Sequence, residues 1–260
     1  MLIVKTQWCR PRCGLGFATA LLFGTSLAFA QDQSAAITNA PPPPAPWETT
    51  ASAGFTLTRG NSETLLGTLS LDTKRKWDRN EIAFGIAGGY GEDDDVRNTE
   101  FVNAFGQYNR LFTDRFYAGL RTDFNYDGIA KLSYRVSVGP LVGYYLIKTT
   151  NTFLALEVGP SVVFEKYQHE PANTYLGLRI ADRFEHKLSA TTKFWQSTSY
   201  VPDVEKWSEK YILTTEAGID AAITKKWSLR VVFQHIYDSQ PAPDHQHNDI
   251  RLIAGTAYKF

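Results

Sequence analysis

The chain has 260 residues, with 27 Lys and Arg against 27 Asp and Glu, so its formal net charge is +0 and it lacks the basic excess that a nucleic-acid partner requires. Its 2 cysteines, Cys9 and Cys13, both fall near the start, which leaves no thiol further on for a disulfide, a thiolate metal site or a nucleophile. Beyond residue 30 no run approaches the roughly 18 to 20 consecutive apolar residues of a membrane helix, whereas the 13% of aromatic residues, with abundant Thr and Gly, suits strands and tight turns.

Residues 1–30 read as a signal peptide: Lys5, Arg10 and Arg12 precede an apolar stretch from Leu15 to Phe29, and Ala28-Phe29-Ala30 is a small-x-small cleavage pattern. Cleavage is expected after Ala30, and Gln31 in the next position is not a lipoprotein cysteine. Loss of three basic and no acidic residues would take the net charge from +0 to −3. Residues 31–46 are rich in Pro, Ala and Ser, with four prolines at Pro41 to Pro44, and predict an extended periplasmic linker.

From Trp47 to Phe260 the pattern is a period-two alternation of apolar and polar residues. It predicts twelve strands, at 47–58, 64–76, 81–91, 99–110, 115–126, 131–146, 152–164, 173–186, 189–200, 209–223, 227–238 and 249–260. In the fifth, Phe116, Ala118, Leu120, Thr122, Phe124 and Tyr126 share one face, and Tyr117, Gly119, Arg121, Asp123 and Asn125 share the other. The sixth sets Leu132, Tyr134, Val136, Val138, Pro140, Val142 and Tyr144 against Ser133, Arg135, Ser137, Gly139 and Gly143. Short turns near 78–80, 112–114, 148–151, 187–188 and 224–226 alternate with longer polar loops at 92–98, 165–172, 201–208 and 239–248. Short periplasmic turns and longer external loops are the habit of membrane barrels.

Alternation alone fits a soluble lipocalin-like barrel equally well. The mid-strand charges separate the two. One lumen would receive Arg121, Asp123, Arg135, Glu157, Arg179, Arg183, Lys193, Glu216, Asp220, Arg230 and Arg251. Each ion left unpaired in a soluble β core would cost several kcal/mol, while a lumen can pair them and keep water. The arginines Arg121, Arg135, Arg179, Arg183 and Arg230 are expected to form a basic strip opposed by Asp123, Glu157, Glu216 and Asp220. The apolar faces then meet lipid, which demands a closed antiparallel transmembrane β-barrel with no free edge. An even strand count puts both termini on the periplasmic side.

Trp47, Trp77, Tyr144, Trp227 and Tyr258 fall near strand ends on that side, as an interfacial girdle would. The last strand places Ile250, Leu252, Ala254, Thr256, Tyr258 and Phe260 on one face and ends on an aromatic residue. Tyr258 and Phe260 resemble the C-terminal signature read by the barrel-assembly machinery, so the expected partners are that machinery and outer-membrane lipid.

Gly60-Asn61-Ser62 with Thr64, Phe112-Thr113-Asp114-Arg115, Asp127, Arg135 with Gly139 and Gly143-Tyr144, Glu157-Gly159-Pro160, Tyr237-Asp238-Ser239, Pro241, Pro243, Asp249 and Tyr258-Lys259-Phe260 follow one another over 54–260. In order and spacing these residues resemble a family of salt-induced outer-membrane proteins, a domain-of-unknown-function group. The resemblance implies an outer-membrane location and a link to salt or osmotic stress, and brings no catalytic residues to transfer.

Gly60-Asn61 reads as a hairpin turn, and Pro140 and Pro160 as bulges or kinks in the wall. The acidic group Glu92 to Asp95 and the cluster Asp244, His245, His247 and Asp249 read as solvated loops rather than cation sites, so no cofactor or metal is expected. His235 is the one candidate for a lipid-facing catalytic histidine; antiparallel pairing puts it near Thr215 and Leu252 with no serine at that level, so no enzyme is expected. Two functions stand open: a narrow channel for small polar solutes or ions, and a non-conducting envelope barrel with a salt-bridged lumen.

Overall fold

The computed structural model describes residues 46–58, 64–94, 96–243 and 245–260. The expected signal peptide, the linker as far as residue 45 and the Gly60-Asn61 turn lie outside the described residues.

Twelve antiparallel strands run β1 (Glu48–Thr58), β2 (Thr64–Trp77), β3 (Asn80–Asp93), β4 (Val96–Leu111), β5 (Phe116–Asp127), β6 (Leu132–Lys148), β7 (Thr152–Tyr167), β8 (Asn173–Lys187), β9 (Thr192–Pro202), β10 (Tyr211–Ala222), β11 (Trp227–Asp238) and β12 (Asn248–Lys259). Each pairs with its sequence neighbours, and β1 with β12 closes the ring. Closure pairs the turn-rim part of the two terminal strands and so removes much of the edge that an open sheet would leave.

Both ends of the barrel segment lie on one rim, the turn rim, where Thr50 pairs with Lys259 and the Phe260 N–H donates to the Thr49 carbonyl at 3.0 Å. The turns there are tight for a local reason. The hydroxyls of Thr113, Thr149, Ser189 and Thr224 each accept the backbone N–H three residues on, at 2.9, 2.9, 3.0 and 3.0 Å, and so set the first residue of the returning strand. Asp78, at φ 48°, takes the left-handed position of the β2–β3 turn, a conformation that Asp tolerates.

The opposite rim carries the longest connections, β9–β10 and β11–β12, although β3–β4 and β5–β6 are joined there by short ones. The expected 92–98 loop is mostly strand: β3 runs on to Asp93, β4 resumes at Val96, and a register shift after Gly91 absorbs the mismatch. Its polar residues mark a hairpin standing out in water rather than a loop. On the same rim β9 pairs with β8 only as far as Ile180–Tyr200, and the following segment covers the rest, with Val204 N–H donating to the Leu176 carbonyl at 2.9 Å.

The outward faces are apolar. Leu69, Phe84, Ile86, Leu120, Leu156 and Phe233 are among the exposed residues on them, while most mid-strand charges face in; Asp182, in register with Leu156, is a charge on the outward parity. Two expectations for the wall need correction. Leu132 is buried inside rather than outward, because a register shift between Leu132 and Tyr134 turns it to the interior, where it packs on Tyr167 and Ala242. Pro140 and Pro160 form no bulge. The β6–β7 register is the same on either side, Val138 with Val162 and Val142 with Val158, so the two prolines face each other across a short break in the ladder. Neither has an N–H to donate. The backbones close up at this point, and a Cβ on Gly139 would fall 1.9 Å from the Pro160 carbonyl oxygen.

Candidate functional site: the charged lumen

Inward positions on neighbouring strands alternate glycine with aromatic rings, and this sets the floor of the lumen. Phe105 lies opposite Gly85, Phe101 opposite Gly89, Tyr117 opposite Gly143 and Trp195 opposite Gly218. Any Cβ at these glycines would fall within 2.2 to 2.5 Å of the facing ring, so each ring lies over a position only glycine can supply. Cations rest on these rings: Arg121 at 4.7 Å from the Phe105 centroid, Arg251 at 4.4 Å from Phe101 and Arg230 at 6.0 Å from Trp195.

Near the turn rim, Tyr117, Leu141, Tyr145 and Ala155 form a buried cluster on the β5–β7 wall. Tyr145 donates to Glu81, which Lys76 also meets at 2.8 Å, and the Tyr117 hydroxyl donates to Glu157 at 2.9 Å. Arg183 meets Glu185 at 3.2 Å, and Lys193 lies between Glu185 and Asp220 at 3.7 and 3.8 Å. This level is wet. The side chains of Asp72, Arg183 and Lys193 keep 51%, 49% and 40% of their surface exposed.

At mid-height Arg121 is held by Asp123 at 2.7 Å and donates to Gln107 at 2.7 Å, while Arg179 donates to Glu157 at 2.9 Å. Gln107 reaches Glu157 from β4 to β7 at 2.6 Å. On the other wall Arg230 is paired with Asp220 at 2.7 Å and donates to Ser52, two strands away, at 3.0 Å. Glu216 accepts from Gln234.

Toward the loop rim two ion pairs cross the lumen. Arg135 on β6 meets Asp238 on β11 at 2.6 Å, and Arg251 on β12 meets Asp127 on β5. Each pair joins strands five positions apart in a ring of twelve, close to a full diameter. Arg135 also bonds Glu165 at 2.9 Å and the Tyr167 hydroxyl at 2.7 Å, and Lys210 meets Glu165 at 2.6 Å. Water has little access here, since the side chains of Glu165 and Arg135 are only 4% and 10% exposed.

All eleven charges assigned to the lumen from the sequence thus fall on inward strand positions, but the expected basic strip facing an acidic one does not form. Each of Arg121, Arg179, Arg183 and Arg230 is paired with a carboxylate on its own or a nearby strand, and Arg135 spans the lumen. Local pairing replaces the strip because a like-charged row would leave every ion desolvated without a counter-charge. Glu165, Asp127, Asp238 and Lys210 belong to this network and were missed; the first two sit one residue past the expected ends of their strands, on the inward parity.

Outside the lumen, His235 Nε2 lies 2.9 Å from Asn248 Oδ1, and its strand neighbours are Thr215 and Ile250 rather than Thr215 and Leu252. Tyr258 packs edge-on between Trp227 and Phe260, at centroid distances of 4.9 and 5.0 Å.

Residues 51–260 match the family model described as "Protein of unknown function, DUF481". Over 222 residues the chain is 26% identical to "Uncharacterized protein YdiY" of Escherichia coli (strain K12), covering 81% of this chain and 82% of that one. Similar solved structures include the KdgM porin, with a TM-score of 0.46 and 10% identity over 83% of this chain and 99% of that one. The NanC porin gives 0.47 and 6% over 82% and 96%. The translocator domain of autotransporter NalP from Neisseria meningitidis gives 0.43 and 13% over 82% and 87%.

Proposed function

The chain belongs to the family described as "Protein of unknown function, DUF481", and from the geometry of its lumen we propose that it is an outer-membrane barrel held closed at rest by cross-lumen ion pairs. The membrane half of this reading is supported by the inverted polarity of the wall, apolar outward and charged inward, which is the arrangement lipid requires and water penalises. The signal peptide expected at residues 1–30 and the resemblance in the sequence support the compartment.

The Arg135–Asp238 pair is the observation that carries the closed state. With Arg251–Asp127 beside it, it crosses the lumen toward the rim where Leu132, Tyr167 and Ala242 are also packed. A network this dry is satisfied internally and gives a hydrated ion no partner to exchange into. The turn-rim half is different: half-exposed Asp72, Arg183 and Lys193 line a charged vestibule of both signs. That vestibule favours a second reading, a narrow channel for small ions that conducts once the loop-rim pairs part. A tie to salt or osmotic stress belongs to this second reading, because ionic strength acts on charge pairs as they become exposed. No catalytic role is proposed: His235 pairs with Asn248 and has no serine in register.

Single-channel recording in a planar bilayer tests the proposal. The unaltered protein should be silent or open only briefly, and combined Asp127→Ala and Asp238→Ala changes, which break both cross-lumen pairs, should raise the open probability. Steady conductance of the unaltered protein would overturn the closed reading in favour of the open channel.

A further inference from the structure

The ring is not zipped equally all round. β1 and β12 pair from Thr50–Lys259 to Gly54–Gly255 and stop there, although β1 runs on to Thr58 and β12 begins at Asn248. Continued register would pair Phe55 with Ala254 and so on along the strands, and none of those rungs is made. The incomplete β8–β9 ladder is covered by the segment at Val204, but among the described residues no segment covers this one.

Three observations give the gap a chemical character. The wall residues around it are the barest in mid-strand: Phe55, Leu69, Ile250 and Leu252 are 67%, 70%, 64% and 68% exposed, against 53% for Leu120 on a fully paired strand. A cavity of about 170 Å³ lies at this level, lined both by the outward-facing Ile250 and Leu252 and by the inward-facing Leu66, Thr68, Phe101 and Ile253, so residues of both faces of the wall meet there. Leu66, Phe101, Ile250, Leu252 and Ile253 are its apolar lining, and Thr68, Thr99 and Arg251 supply polar surface beside them.

We propose that the unpaired stretch of the β1–β12 seam is a lateral portal, and that its occupant is the acyl chain of a bilayer lipid entering the wall beside Ile253 and Thr68. The mouth is continuous with the apolar belt, so a chain can enter without crossing water. Unpaired strand edges in hydrocarbon are also costly, which favours a permanently occupied or intermittently closing seam over an empty one. The proposal rests on the outer-membrane reading above.

The test is photocrosslinking of the full chain, reconstituted in phosphatidylcholine vesicles with radiolabelled acyl chains and carrying a benzophenone amino acid at one position at a time. Leu120 reports the lipid-facing wall; Ser197, inward on β9 and paired on both sides, reports the closed lumen. Ile253 and Thr68 are two independent reports of the portal, and boiled and unboiled migration checks that each variant has folded. Labelling of Ile253 and Thr68 comparable with Leu120, with Ser197 unlabelled, is the expected result. Labelling of Leu120 with Ile253 and Thr68 no higher than Ser197 would overturn the portal and leave the membrane reading standing. An unlabelled Leu120 would overturn both.

Discussion

Gly85 and Arg135 show how much of the lumen hangs on single positions. Phe105 covers Gly85 and carries Arg121, so a side chain at residue 85 must lift the ring and the cation with it. Gly85→Val should therefore cost about 1 to 3 kcal/mol, as overpacking does, whereas Gly67→Val, where a Cβ meets nothing within 4 Å, should be nearly silent in the same denaturant unfolding experiment. Arg135→Glu sets a third carboxylate beside Glu165 and Asp238 and should cost on the order of 3 to 5 kcal/mol. Arg183→Glu, at the wet vestibule, should cost no more than about 1 kcal/mol; equal losses at the two sites would contradict the dry and wet halves. Inward placement of these arginines was legible from the period of two, because parity needs only local sequence. Their partners were not. Arg135 and Asp238 lie 103 residues apart, and what brings them together is the radius of a closed ring, which no local pattern encodes.

Elements were the most legible level, since every strand end falls within three residues of its expected position. The failures share a cause: alternation reports which face a residue takes, not whether the ladder is continuous. Register shifts at Leu132/Tyr134 and Tyr145/Ile147 leave the composition unchanged yet turn Leu132 inward, and the facing prolines break the β6–β7 ladder without shifting it. Polarity likewise misled at 92–98, where β3 and β4 stay paired beyond the apolar belt. The final strand carries its own prediction. Deletion of Phe260, whose N–H closes onto Thr49 and whose ring packs on Tyr258, should lower the yield of assembled barrel far more than deletion of residues 31–46. Equal losses in a membrane-assembly assay would remove the terminal strand's special place.

Across the whole molecule the distribution of polarity is that of a soluble protein turned inside out. Hydrophobic side chains such as Ile86, Leu120, Ile219 and Phe233 stand exposed around the ring, while charges such as Arg121, Arg135 and Arg230 are turned inward and paired. In water an apolar belt of this extent would drive aggregation, since exposed patches beyond a few hundred Å² are rare on monomeric proteins. In lipid the same belt is the stabilising surface, and the closed ladder inside it is shielded from competing water. The polarity argument could be made from sequence because the charges recur in mid-strand; that the ring closes with half its last seam unpaired could not. The most direct measurement is fractionation of cells expressing the full chain, with boiled and unboiled samples compared by gel migration. The account predicts recovery in the outer-membrane fraction with a compact species that shifts only on boiling, and recovery as a soluble periplasmic monomer with no such shift would contradict it.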